Sequence, residues 1–409
     1  MFVLRSVLAV VLFTAPSAFG QETSRTFKLT SVPNAAALSE AATLLRTVAG
    51  ITDARADDAA SAITVTGNTG SLDASEWIVN HLTTRAAGDY DVPASNERIH
   101  VAYLSNATRQ ADLNETATSL RALCDIRQVF TYSPAQTIFF RATQPVTAMG
   151  AWLVSQFDLR PDDANRFDVH EYPNPEKPNQ MLKVMFLHQR PPQMANLNEL
   201  VTTVRTVGDI QRIFTHSSDP QGIAFYSDTA HVRTGAWLLS QLDIVPDDPH
   251  RFDVHEYLNP EKPNQLAKVM FLHYPAPNRA LNELVTTVRA VADVQKIFTH
   301  SGGPQGIAFA GDTAHVRTAE WLLQQLDVQP DAELRAAKHS FSVPFSAGET
   351  ARIYFLPAAA DLVPMATAIR SKIETRHIFT FSQSAAVAVR GTPDVIAVAD
   401  KVFAAHEKN

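Results

Sequence analysis

The chain of 409 residues contains a single cysteine, Cys124. One thiol closes no intramolecular disulfide, so packing must hold whatever fold forms. Fifteen Gly and 24 Pro are too few for a collagen-like or low-complexity chain, and an apolar content of 45% is too high for wholesale disorder. Positive charge is not in excess: 35 Lys and Arg face 42 Asp and Glu, a formal charge of −7. That balance argues against nucleic acid as a partner and against a general attraction to anionic lipid. Long hydrophobic runs are also missing. No segment reaches the roughly 20 apolar residues of a membrane span. Cys124 follows Leu120 and Leu123 on a helical pattern and reads as a buried structural thiol, with an intermolecular disulfide as the alternative.

What is present begins with an export signal. Arg5 precedes an apolar run (Val7, Leu8, Val10, Val11, Leu12, Phe13), and Ala18-Phe19-Gly20 supplies the small-x-small pattern of a cleavage site. Residues 1–20 are therefore expected to be a signal peptide. The mature chain is expected in the periplasm or outside the cell, without an integral membrane span.

The rest of the chain repeats itself. Arg166–Asp247 recurs at Arg251–Asp331 with mostly identical residues, and Phe214 and Phe298 of the two IFTH segments stand 84 residues apart. Weaker copies occupy 99–158, 352–404 and Phe27–Leu82. The predicted domains are residues 21–88, 89–163, 164–248, 249–333 and 334–409, five repeats in all. In each, a β-rich run such as Val184–Leu187 leads into a helical pattern (Leu197, Leu200, Val201, Val204, Val207). A second strand (Ile213–Thr215), a third (Ile223–Phe225) and a second helix follow. Asn68, Thr143, Asp228, Asp312 and Thr392 stand at the start of that second helix, where each side chain can accept a hydrogen bond from its first free N–H groups. The fold class is thus α+β: a tandem array of five small βαββα units, each a three- to four-stranded sheet with two helices on one face. The other face or an edge is expected to stay available. RFDVHEY (166–172 and 251–257), Tyr90–Val92 and Ser340–Phe345 read as an extra strand forming a hairpin with the next first strand.

This pattern resembles the N-terminal, ring-building domains of bacterial secretins. The residues that carry the resemblance are AVAVRGTPDVIAVADKVF in the fifth repeat, AITVTGNTGSLDASEWIVNHL in the first, and helices ending at Asp158, Asp243 and Asp327. The resemblance implies the small-domain fold and an assembly role. With no barrel-forming β domain after the repeats, it implies modules without the channel.

All four tryptophans, Trp77, Trp152, Trp237 and Trp321, fall at one position of the repeat. On a helix turning 100° per residue, each lies roughly 160° from the middle of the apolar face. They are the candidate interface residues: they pack on a linker or adjoining repeat, anchor a partner protein, or stack on a small molecule. The fifth repeat carries Lys401 there, and terminal repeats commonly put a polar residue where inner ones bury a contact.

Recurrent histidines (His170/His255, His188/His273, His216/His300, His231/His315) invite a metal reading, but they occur only in the two near-identical repeats, as duplication alone would produce. His216 and His300 stand where neighbouring copies have Tyr132 and Phe381, so the slot calls for a flat ring. His231 and His315 fall near the apolar faces of their helices. His170-Glu171 lacks the second His of a zinc-protease helix. Asp228/His231 and Asp312/His315 have no accompanying nucleophile. No metal, cofactor or catalytic residue is assigned. The expected function is a non-enzymatic scaffold of the cell envelope, bound to an envelope or secreted protein or to copies of itself, with strand addition at sheet edges as its mechanism. The alternative is a ligand-binding or enzymatic protein whose site lies between repeats, most naturally the two near-identical ones.

Overall fold

A computed structural model describes residues 23–406 apart from 30–33, 107–108, 190–193, 246, 345, 347 and 358. The signal-peptide segment lies outside the described residues. In the first repeat, β1 (Thr23–Lys28) is followed by α1 (Ala35–Leu44), which continues as a π-helical turn over Leu45–Ala49. Then come β2 (Asp53–Asp57), β3 (Ala62–Gly67) and α2 (Thr69–Thr84). The second begins with the extra strand β4 (Gly88–Asp91) and continues through β5 (Glu97–Tyr103), α3 (Gln110–Cys124), β6 (Gln128–Tyr132), β7 (Thr137–Thr143) and α4 (Gln144–Phe157). The third has β8 (His170–Pro173), β9 (Gln180–Phe186), α5 (Met194–Val207), β10 (Arg212–His216), β11 (Gly222–Asp228) and α6 (Thr229–Leu242). The fourth has β12 (His255–Leu258), β13 (Gln265–Phe271), α7 (Asn278–Ala292), β14 (Lys296–His300), β15 (Gly306–Asp312) and α8 (Thr313–Leu326). After a short helix α9 (Ala332–Ala336), the fifth runs through β16 (His339–Ser342), β17 (Thr350–Phe355), α10 (Leu362–Arg370), β18 (Ile378–Phe381), β19 (Ala386–Gly391) and α11 (Pro393–His406).

The first sheet has the order β1-β3-β2. The other four place the extra strand at one edge, as in β4-β5-β7-β6. The third strand sits between the first and second in every repeat, and the paired strands run antiparallel. The second helix starts as its first residue dictates where that residue is Asn or Asp: Asn68, Asp228 and Asp312 each accept the N–H three residues on. Thr143 departs from this expectation. Its hydroxyl makes no cap and instead donates to Glu176 at 3.4 Å, while Pro145 occupies the first turn. Thr392 accepts the Ile396 N–H through its backbone carbonyl.

By compactness the chain divides inside the third repeat. One unit runs to Leu187 and includes Arg212–Tyr226; the other holds His188–Gln211 and everything from Ser227. In the first unit, helices α1 and α2 bury one face against their own sheet and the other against the next repeat's sheet. Ile99, Val101, Tyr132 and Phe139 join their cluster. Ile138, Phe140 and Val129, on the opposite face of the same sheet, pack with α3 and α4, whose outer side takes Leu182, Val184, Phe186, Ala224 and Tyr226. In the second unit α5 and α6 lie on β14, β13 and β12. Helices α7 and α8 reach Ile353, Phe355, Phe381, Ala386 and Ala388 of the fifth sheet, whose other face (Tyr354, Ile378, Val387, Val389) packs on α10 and α11.

The expectation that a sheet face or an edge stays available is met at the edges, whereas the second, fourth and fifth sheets carry helices on both faces. A strand of Ile-Phe-Phe or Ala-Val-Ala-Val buries apolar side chains on both sides, and only a second helix layer can keep both from water. The first sheet has a face that no described helix covers, and that face is polar: Ser24 bonds Thr66 at 2.9 Å and Thr26 bonds Thr64 at 3.0 Å.

Candidate functional site

The tryptophans are half-buried. Each ring lies against an aromatic ring on the following repeat's extra strand: Trp77 on Tyr90 at 5.6 Å between centroids, Trp152 on Tyr172 at 5.5 Å, Trp237 on Tyr257 at 5.6 Å and Trp321 on Phe341 at 5.4 Å. That separation suits tilted or offset aromatic pairs. Lys401, with no following repeat in the chain, is exposed. Acrylamide is expected to quench the mature chain's fluorescence far more slowly than free tryptophan; quenching at the free rate would place the four indoles in water.

At the opposite edge of each of these sheets stands a second repeated contact. Glu40, Glu115, Glu199 and Glu283, on the first helices, accept the hydroxyls of Ser133, Ser217, Ser301 and Ser382 in the repeat after. The backbone N–H groups of Ser133, Ser217 and Ser301 point to the same carboxylates at 2.8, 3.0 and 2.9 Å. The helix-ending aspartates have a local task. Asp158 accepts the N–H groups of Ser105 and Asn106, Asp243 those of His188 and Gln189, and Asp327 those of His273 and Tyr274. They thereby clamp the turn that leaves the first strand. Burial holds the Asp243 and Asp327 carboxyls above the ordinary aspartate range.

Cys124 is buried, and burial pushes its thiol up to about 12, so it is a packing residue and not a link to another chain. His216 and His300 are buried like Tyr132 and Phe381. His216 stacks on Phe157 with centroids 4.5 Å apart and 14° between planes. Among the described residues no group of three or more His, Cys, Asp and Glu is placed to hold a metal ion. No described helix is long and apolar enough to cross a membrane.

Where the third repeat's helices meet the fourth repeat's sheet, a cavity of about 240 Å³ opens, lined by Val207, Asp209, His231, Lys296, Ala310 and His315 among others. His231 Nδ1 lies 2.5 Å from Asp228, whose other oxygen caps α6, and His231 Nε2 lies 3.2 Å from Lys262 Nζ. His315 pairs with Asp312 in the same way. Helical periodicity puts these histidines near the apolar faces. Both stand in the first turn of their helices, where each ring pairs with the capping aspartate. Lys296 bonds Asp209 at 2.8 Å and holds that carboxyl below its ordinary range.

No family model and no curated protein matches the chain. Three solved structures have similar parts. Aeromonas hydrophila ExeD is 14% identical over 55% of this chain and 40% of its own, with a TM-score of 0.13. The type II secretion system secretin GspD of E. coli K12 is 13% identical over the same shares, with a TM-score of 0.14. Aspartate kinase from Synechocystis is 12% identical over 76% of this chain and 54% of its own, with a TM-score of 0.15. The chain covers 40% of the length of each of the first two. With superpositions this loose, the fold rests on the strand order and the repeated contacts.

Proposed function

We propose that the chain is an exported, non-enzymatic scaffold of the cell envelope that binds an extended segment of a partner protein at the outer edges of its third and fourth sheets. One observation carries this reading. Phe167 and Val169 are 42% and 75% exposed, and their counterparts Phe252 and Val254 are 43% and 74% exposed, in a chain whose other strands bury their apolar residues. Each pair leads directly into an edge strand, β8 or β12, which has a neighbour on one side only. An added strand would gain backbone hydrogen bonds from that edge and apolar contact from the flanking Val, and also from Leu258 at the end of β12.

The test is capture from envelope extract by the mature chain, compared with a Val169→Lys/Val254→Lys variant whose melting curve matches the parent. A partner held by the parent and lost by the variant is the expected result. Equal capture by both sinks the edge reading. A second reading, a receptor for a small ligand, is favoured by the cavity between the third and fourth repeats.

A further inference from the structure

The cavity lies where the other junctions hold an arginine. Three times, a guanidinium of the following repeat donates to the backbone carbonyl of the same residue near the end of the preceding first helix: Arg141 to Val48 at 3.4 Å, Arg212 to Leu123 at 2.9 Å and Arg390 to Val291 at 3.4 Å. That end of a helix carries partial negative charge, so a cation is favoured there. Arg141 and Arg390 are also paired with Glu97 at 2.5 Å and Glu349 at 2.7 Å.

At the remaining junction the equivalent helix residue is Val207, and it lines the cavity. Strand register places Ala310 opposite Lys296 as Arg141 stands opposite Gln128, so Ala310 takes the arginine's place. Lys296, in the place of Arg212, goes to the Asp209 carboxylate. Gln265 replaces Glu97 and also lines the space. The lining holds three carboxylates (Asp209, Asp293, Asp312) against one lysine and two histidines.

We propose that this cavity binds a guanidinium group on a short aliphatic stem, seated where the other junctions seat their own arginine. At about 30 Å³ per water, the space holds roughly eight waters. It is smaller than the roughly 300–1,000 Å³ of drug-sized ligand sites, which suits one side chain or a small amine and not a nucleotide. The inference deepens the receptor reading and is independent of the edge strands.

Calorimetric titration and thermal shift of the full chain with agmatine test it, with N-carbamoylputrescine, which keeps the ammonium but carries a neutral ureido group in place of the guanidinium, as control and a blocked Ala-Arg-Ala tripeptide as second ligand. Agmatine is expected to bind and raise Tm, and the ureido analogue to do neither. Binding of the tripeptide as well assigns the site to a protein arginine, and its failure assigns the site to a free amine. Ala310→Arg should fill the cavity from within and abolish the agmatine response. Asp209→Asn, which keeps the cavity, should weaken agmatine about tenfold, the scale of one charge-assisted hydrogen bond. No response to agmatine, an equal response to the ureido analogue, or an unchanged response in Ala310→Arg overturns the proposal. So does a response to inorganic phosphate in place of agmatine.

Discussion

Glu320→Ala is expected to cost about 3 kcal/mol of folding stability, the low end of the range for removing one partner of a buried ion pair. Lys268 is 2% exposed on β13, with Glu320 of α8 against its ammonium and Glu256 of β12 at 3.3 Å. Arg317 shares both acids, at 2.9 Å and 3.0 Å. Without Glu320, the lysine stays out of water with half a partner. The double variant Lys268→Met/Glu320→Leu should return to within about 1 kcal/mol of the parent, because desolvating two charges costs nearly what their attraction returns. Urea denaturation of Lys268→Met, Glu320→Leu and the double variant gives the coupling directly. A loss below about 1 kcal/mol in Glu320→Ala would mean that Lys268 reaches solvent. The other repeats place a basic side chain on the same strand. Arg25 pairs with Glu76 and Arg352 with Asp400, both acids standing just before the Trp position. His100 and Lys183 turn to Asp89 and Glu171 on the edge strand.

His216→Phe is expected to stabilise the chain by about 2 kcal/mol and to flatten its acid limb. Neither ring nitrogen of His216 has a hydrogen-bond partner among the described residues, and the nearest charge, Glu115, lies 3.7 Å away. Burial is the largest influence on this imidazole and lowers its pKa; Glu115, Asp112 and Asp158 oppose it and Arg109 reinforces it. In the unfolded chain the ring titrates near its ordinary value of about 6.5. Between that value and the lower folded one, the unfolded state holds the extra proton. Stability is therefore intact above about pH 6.5 and is lost as pH falls toward the folded value. Phenylalanine, the residue the fifth repeat uses in this slot, removes both the unpaired nitrogens and the titration. Melting curves between pH 5 and 8 check it. A parallel drop in parent and variant would assign the acid limb to other groups. His300, lowered by burial in the same way, remains in the variant as a second source of slope.

Local features of the sequence carried the five-fold repetition, the strand and helix order and the flat-ring slot at His216. Each is set by neighbours a few residues apart or by comparison of copies. The buried second sheet face was not anticipated, although its signal is present. Ile138-Phe139-Phe140, Ile307-Ala308-Phe309 and Val387-Ala388-Val389 are continuous apolar runs, whereas Ile63-Thr64-Val65 alternates as a half-exposed strand should. Side by side, those four strands distinguish a sheet between two helix layers from one with a wet side. The Glu–Ser contacts were out of reach because their partners lie 93 to 102 residues apart and meet only once the layers are known. Ala310 can be aligned with Arg141 and Arg390 by eye. The exchange acquires meaning only when the guanidinium is seen crossing to the helix of the preceding repeat.

The first sheet's hydroxyl-lined face bears on how such a chain changes length. Where the helices of one copy fit the strands of the next, the contact is head-to-tail and has no built-in stopping point. A duplicated gene segment then arrives with both of its mating surfaces already matched, which accounts for two nearly identical copies side by side in the middle. A layer that offers Ser and Thr where the others offer Ile and Phe presents no matching surface for such a contact.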